Sequence, residues 1–189
     1  LPAGTRVAPD ALVDRVTALE DRLARLEQRT SRDQLTLVVF SGELDRLLAA
    51  FVIATGAAAF GMKVAMFFTF WGTASLKKSG RQGQGKTLVE RMFGWLLRGG
   101  LRRCKLSRLD MLGLGRRMMR REMARKNVAD LPELIETAAD LGVQIRVCEM
   151  SLTLMGIRRE ELIDYPHMEF CGVAGMLDHA GDSNATLFI

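Results

Sequence analysis

Residues Val143 to Ile163, VQIRVCEMSLTLMGIRREELI, constrain this chain more than any other stretch. Val143-Gln-Ile-Arg-Val147 alternates apolar and polar side chains, the period of a half-buried strand. Such a strand delivers Cys148 to its carboxyl end. Ser151 then offers an oxygen to cap a helix that opens with Leu152, Thr153, Leu154 and Met155. In an open α/β sheet, ligands and reacting groups gather at the carboxyl ends of the strands. A helix amino terminus carries partial positive charge, so a thiol beside it ionises more readily. The pattern nominates Cys148 as an exposed, reactive thiol with Ser151 as the helix cap beside it. The competing reading is a small buried hydrophobe, because free cysteine is among the most buried residue types.

The rest of the chain supplies a sheet to hold that strand. Leu35 to Phe40 is apolar on both faces, as a central parallel strand would be. A helix is expected from Glu43 to Phe60, with Gly61 as its left-handed stop and Lys63 to Phe68 as the next strand. Hydropathy alone would mark Leu47 to Trp71 as a membrane span. The apolar run before Gly61 is shorter than the ~20 residues a span needs, however, and suits a buried core helix. Asp130, Pro132 and Glu133 spell a helix start with a capping box, and Gly142 turns that helix into the Cys148 strand. Gly172 to Ala180 reads as a final helix and Ala185 to Ile189 as the last strand. The expectation is an open α/β fold: a mainly parallel sheet of about five strands with helices on both faces.

Two regions lie outside that scheme. Leu12, Val16, Leu19, Leu23 and Leu26 form an a/d heptad seam, so residues 1–31 are expected to be a coiled-coil helix that makes the protein a homo-oligomer. Residues 32–189 are then the α/β domain, with a basic helical insertion at about 73–127. From Lys77 to Lys126 the chain carries 16 Lys/Arg against 3 Asp/Glu, while the remainder carries 11 against 19. Such a block attracts anionic partners. Thr87 to Arg98 and Gly115 to Lys126 read as amphipathic basic helices, and the segment from Ser75 to Lys86 between them and the sheet as mobile. Aromatic and Met residues opposite the arginines suit peripheral membrane contact through 77–126. Nucleic acid is the weaker expectation, with only Phe93 and Trp95 to stack on bases. The rival to a thiol function is a membrane-surface scaffold binding anionic lipid, with Cys148 structural.

Three cysteines make no disulfide scaffold, and without a secretory leader they point to a reducing, cytoplasmic setting, with the inner face of the membrane as the site of any peripheral contact. Two histidines and no CxxC pair argue against a structural zinc site, and Gly80 to Thr87, GRQGQGKT, lacks P-loop spacing. No cofactor and no metal are expected. Cys104 stands among Arg102, Arg103 and Lys105, cations that would favour its thiolate.

The cysteine stretch also resembles the DsrE-like family of sulfur-relay proteins, in its longer subgroup. The likeness is carried by Cys148, Met150-Ser151, Leu154-Met155-Gly156-Ile157 and Glu160-Glu161-Leu162-Ile163-Asp164, then by Gly172-Val173-Ala174 and the terminal Leu187-Phe188-Ile189. Phe67-Phe68-Thr69-Phe70-Trp71-Gly72 and Lys126-Asn127-Val128 share it. The resemblance implies a DsrE-like layered fold in which Cys148 holds sulfane sulfur as a persulfide and relays it between proteins, by protein-to-protein transfer rather than small-molecule turnover. Implied partners are a TusA-type carrier, a rhodanese or a sulfur-oxidising complex. Cys171 stands where that subgroup would have glycine, which makes it a candidate auxiliary thiol expected near Cys148.

Overall fold

The structure, a computed structural model, describes residues 9–30, 33–80, 87–88, 92, 101, 104–108 and 110–189. The chain divides into two compact units, Leu1–Asp33 and Gln34–Ile189. The described part of the first contains the helix α1 (Pro9–Thr30). Of its heptad seam, Val16, Leu19 and Leu23 are exposed; the side chains of Leu12 and Leu26 lie outside the described residues.

The second unit runs β1 (Gln34–Val39), α2 (Leu44–Ala59), β2 (Lys63–Phe68), α3 (Phe70–Ser75), α4 (Leu114–Arg125), α5 (Leu131–Asp140), β3 (Gln144–Cys148), α6 (Glu149–Met155), β4 (Met168–Cys171), α7 (Val173–Gly181) and β5 (Ala185–Phe188). The five strands lie in the order β4-β3-β2-β1-β5, and every neighbouring pair is parallel. The chain fills the sheet from β1 outward to β4 and then returns to the other side of β1. All five carboxyl ends therefore share one edge.

Side-chain alternation divides the sheet into two unlike faces. Leu35, Leu37 and Val39, Val64, Met66 and Phe68, and Val143, Ile145 and Val147 point to one face and join a core with Leu47 and Phe51 of α2 and Leu134 and Ile135 of α5. The opposite face carries a smaller cluster, Val38, Phe67 and Cys148, packed by Cys171 and by Met176 of α7. The α/β expectation is met, with helices on both faces. Gly61 takes a φ of 86° after α2, where only glycine turns without strain. The Asp130 carboxylate accepts from the Glu133 amide, completing the expected capping box of α5.

The apolar run Leu47–Trp71 is divided as expected: α2 ends at Ala59, and no helix among the described residues is long and apolar enough to cross a membrane. Other expectations need correction. Ser75 to Lys86 is not uniformly free: Leu76 is fully buried, and Lys77 bridges to Leu162 as an isolated strand pair. An apolar residue next to the sheet's edge found a core to enter. The expected helix at Thr87–Arg98 falls almost wholly outside the described residues. The second basic helix is present as α4 and has no buried residue. Cys104 is buried, and burial pushes its thiol above the ordinary value despite Arg120 and Arg116 nearby. It is a core thiol, because loss of hydration outweighs the surrounding cations.

Candidate functional site

The site is assembled where β2 and β3 end side by side. Phe68 and Val147 are register partners at those ends, so the segments that follow, Thr69-Phe70 and Cys148-Glu149, emerge together. β3 hands Cys148 directly to α6: Cys148 itself is the N-cap residue, with φ −68° and ψ 113°. Ser151 is thus the third residue inside the helix and not its cap. The helix begins almost a turn earlier than the Ser-initiated pattern suggested, because Glu149 and Met150 continue from the strand without a break.

Ser151 is fully buried and ties the two segments together. Its Oγ accepts from the Phe70 amide at 2.9 Å and lies 3.0 Å from the Thr69 hydroxyl. Phe70 needs that support, since its φ of 44° is an unfavourable region for a bulky side chain. The Phe70 ring packs on Phe40, 5.2 Å between centroids, and Phe40 in turn stacks on Phe188 at 5.9 Å. An aromatic row therefore runs along the carboxyl edge from β5 towards the thiol.

Cys148 has no exposed surface. This corrects the expectation of an exposed thiol: Val38 and Phe67 cluster with it on that face of the sheet, and Met176 of α7 packs against the cluster. Burial by itself pushes its thiol up. The Ser151 hydroxyl and amide, the Thr69 hydroxyl and the Met150 amide outweigh that effect and hold it below the ordinary value. Each hydroxyl has one proton, so a chain from Thr69 to Ser151 to the sulfur uses every donor, and linked bonds of this kind reinforce one another. The arrangement favours an anion on sulfur inside an apolar pocket.

Cys171 ends β4 and is the register partner of Cys148 on the adjacent strand. Neighbouring strands lie about 4.8 Å apart, and the two cysteines share the face covered by α7. Unlike Cys148, it is partly exposed. Burial pushes the Cys171 thiol up; Arg146 opposes that and the Cys148 charge adds to it. Arg146 and Glu169 sit one pleat back on the same two strands, paired at 3.2 Å. Thr69 and Phe70 stand in the sequence only as part of the family likeness, with no role attached, and no sequence signal marks Arg146 or Glu169. Thr69 and Ser151 are 82 positions apart, and only the pairing of β2 with β3 joins them.

Ser151→Ala removes a donor to the sulfur and leaves the Phe70 amide without its acceptor. The expected result is a higher Cys148 pKa, read as an upward shift in the midpoint of iodoacetamide alkylation against pH. Ionised Cys148 is favoured by the fold, so its contribution to stability is present above the ordinary thiol pKa and is lost as pH falls through the folded value. The variant should lack that rise at high pH and lose about 1–3 kcal/mol from the orphaned amide. An unshifted alkylation midpoint would contradict this role for Ser151.

The fold and site define a class: an open parallel α/β unit presenting a donor-lined thiol where a strand gives way to a helix. The profile of the DsrE/DsrF/DrsH-like family matches residues 31–188, and the chain belongs to that family. It is 38% identical over 154 residues to the uncharacterized protein YrkE of Bacillus subtilis (strain 168), covering 82% of this chain and 95% of that one. It is 31% identical over 162 residues to the sulfur carrier protein DsrE2 of Allochromatium vinosum, covering 82% and 98%. Among solved structures, the ychN protein from E. coli aligns over 82% of this chain and 99% of its own, with a TM-score of 0.47 and 11% identity.

Proposed function

We propose that the protein is a sulfur carrier that holds sulfane sulfur as a persulfide on Cys148 and relays it to a partner protein. The observation that carries this reading is one fully buried thiol backed by a hydroxyl chain: Thr69 lies 3.0 Å from Ser151, and Ser151, Thr69 and the Met150 amide together hold the Cys148 thiol below its ordinary value against burial. The Cys148 thiolate attacks the outer sulfur of a donor, the donor's S–S bond breaks with its inner sulfur leaving as thiolate or sulfide, and the persulfide anion left on Cys148 occupies the same surroundings. The apolar walls, Val38, Phe67 and Met176, keep water from the held sulfur. Family membership supports the reading, as does the relative named a sulfur carrier. The partners this function calls for are other thiol proteins of sulfur relay, of the TusA, rhodanese or sulfur-oxidising kind. Incubation with inorganic polysulfide, desalting and treatment with cyanide tests it: about one thiocyanate per chain is expected. A desalted protein that yields none would contradict it.

Two exposed apolar surfaces extend the proposal to assembly. Val16, Leu19 and Leu23 on α1 suit pairing with copies of the same helix, and Leu114 and Met118 on α4, beside Arg117 and Arg121, suit an anionic lipid surface. Leu19→Lys with Leu23→Lys is expected to lower the mass seen by light scattering, and Met118→Glu to reduce salt-sensitive co-sedimentation with phosphatidylglycerol vesicles. Unchanged values would remove the corresponding surface from the account.

A further inference from the structure

The sulfur position favoured for holding charge is closed to solvent, and the thiol next to it is open. Cys148 is 0% exposed, whereas Cys171 is partly exposed at the end of β4, the outermost strand on that side among the described residues. The two are directly opposite in the parallel register and share the face under Met176. Their backbone spacing of about 4.8 Å falls within the range across which two cysteines bond directly. A sulfur atom carried on one is therefore within reach of the other. A bulky donor, a partner protein above all, meets Cys171 first.

We propose that Cys171 is a second sulfur-bearing thiol that exchanges one sulfane sulfur with Cys148, so that sulfur enters and leaves the closed position through the open one. The inference rests on the carrier reading of Cys148 given above. In the inward step the Cys148 thiolate attacks the terminal sulfur of a Cys171 persulfide. The bond from that sulfur to Cys171 Sγ breaks as the bond to Cys148 Sγ forms. Cys171 leaves with the electron pair and takes the proton of the persulfide, so the products are a Cys171 thiol and a Cys148 persulfide anion. One S–S bond is exchanged for another, and no oxidant or reductant is consumed. Outward transfer is the same step reversed.

The surroundings of the two sulfurs suit this exchange. Negative charge sits at Cys148 before and after the step, where Ser151, backed by Thr69 at 3.0 Å, favours the anion. Cys171 is neutral before and after, in keeping with a site whose burial disfavours its thiolate. No charge has to move into an unsupported position.

A quenched time course with inorganic polysulfide, followed by alkylation and peptide mapping, tests the exchange in the full chain. In the wild type, a one-sulfur adduct is expected on the Cys171 peptide before it accumulates on the Cys148 peptide. Cys148→Ser should show only a transient adduct on Cys171. Cys171→Ser and Cys171→Ala, each checked by thermal melting, should slow loading of Cys148 by roughly tenfold or more. Loading of Cys148 at the wild-type rate in either Cys171 variant overturns the inference and leaves the carrier reading intact. So does a wild-type time course in which Cys148 fills with no earlier adduct on Cys171. Wild-type protein that never carries sulfur on Cys148 overturns the carrier reading and this inference with it.

Discussion

Cys148→Ser is expected to abolish retained sulfur. The substitution leaves Cys171 and Cys104 in place and changes a single buried atom, so the fold should survive at a cost of about 1 kcal/mol. A serine hydroxyl neither ionises in this pH range nor forms a persulfide. Any sulfur bound transiently at Cys171 lacks the donor set that surrounds Cys148 and should not survive desalting. Thiocyanate released by cyanide from the desalted variant is expected at background, against about one equivalent from the wild type. Retention at the wild-type level by a folded Cys148→Ser protein would remove Cys148 from the mechanism.

The second large effect concerns the scaffold under the site. Gly72 lies inside α3 where that helix meets the end of β1, and its amide donates to the Phe40 carbonyl at 2.8 Å. A Cβ at Gly72 would lie 2.3 Å from the Val39 carbonyl oxygen and 3.0 Å from its carbon. These are backbone atoms of a central strand, and they have nowhere to go. Gly72→Ala should therefore force α3 off β1, dragging Thr69 and the Phe70 turn with it. The expected loss is about 2–3 kcal/mol, seen as a fall of roughly 5–10 °C in Tm. Gly56→Ala is the matching control: a Cβ there meets nothing within 4 Å, and alanine inside helix α2 should be neutral or slightly stabilising. If the two variants melted together, the close approach of α3 to β1 would not be what fixes the site.

Much of this architecture can be read from the chain because its central strands are long apolar runs bounded by clear turn residues. Leu35 to Phe40 and Lys63 to Phe68 are of that kind, and the observed β1 and β2 differ from them by at most one residue. The edge strand β4 is a different case. Met168-Glu-Phe-Cys171 is four residues long, partly exposed and follows Tyr165-Pro166, so nothing in its pattern separates it from a loop. α3 was hidden for the opposite reason. Phe67 to Trp71 is aromatic but for Thr69 and carries no turn residue, and the change from strand to helix within it depends on Phe70 entering a positive φ.

The site was legible in part. Cys148 at a strand end before a helix follows from alternation and a helix signal, and Cys171 near it follows from two helix starts on one sheet edge. The exposure of Cys148 was misjudged because α7, which supplies Met176, returns over that face only after β4 has been laid down. Ser151 was found by its residue type but given the wrong partner. Its hydroxyl serves the Phe70 turn and the thiol, an arrangement that exists only once β2 and β3 pair. Cys104 shows the limit of counting neighbouring charges, since flanking cations say nothing about burial.

A carrier of this kind holds one sulfur atom at Cys148, and peptide mapping locates it. Full-length wild-type protein is treated with inorganic polysulfide, desalted, blocked with an alkylating agent under non-reducing conditions and digested. A single added sulfur is expected on the peptide containing Cys148, with the Cys104 peptide unmodified. Retained sulfur on the Cys104 or Cys171 peptide with Cys148 as free thiol, or no retained sulfur at all, would contradict it.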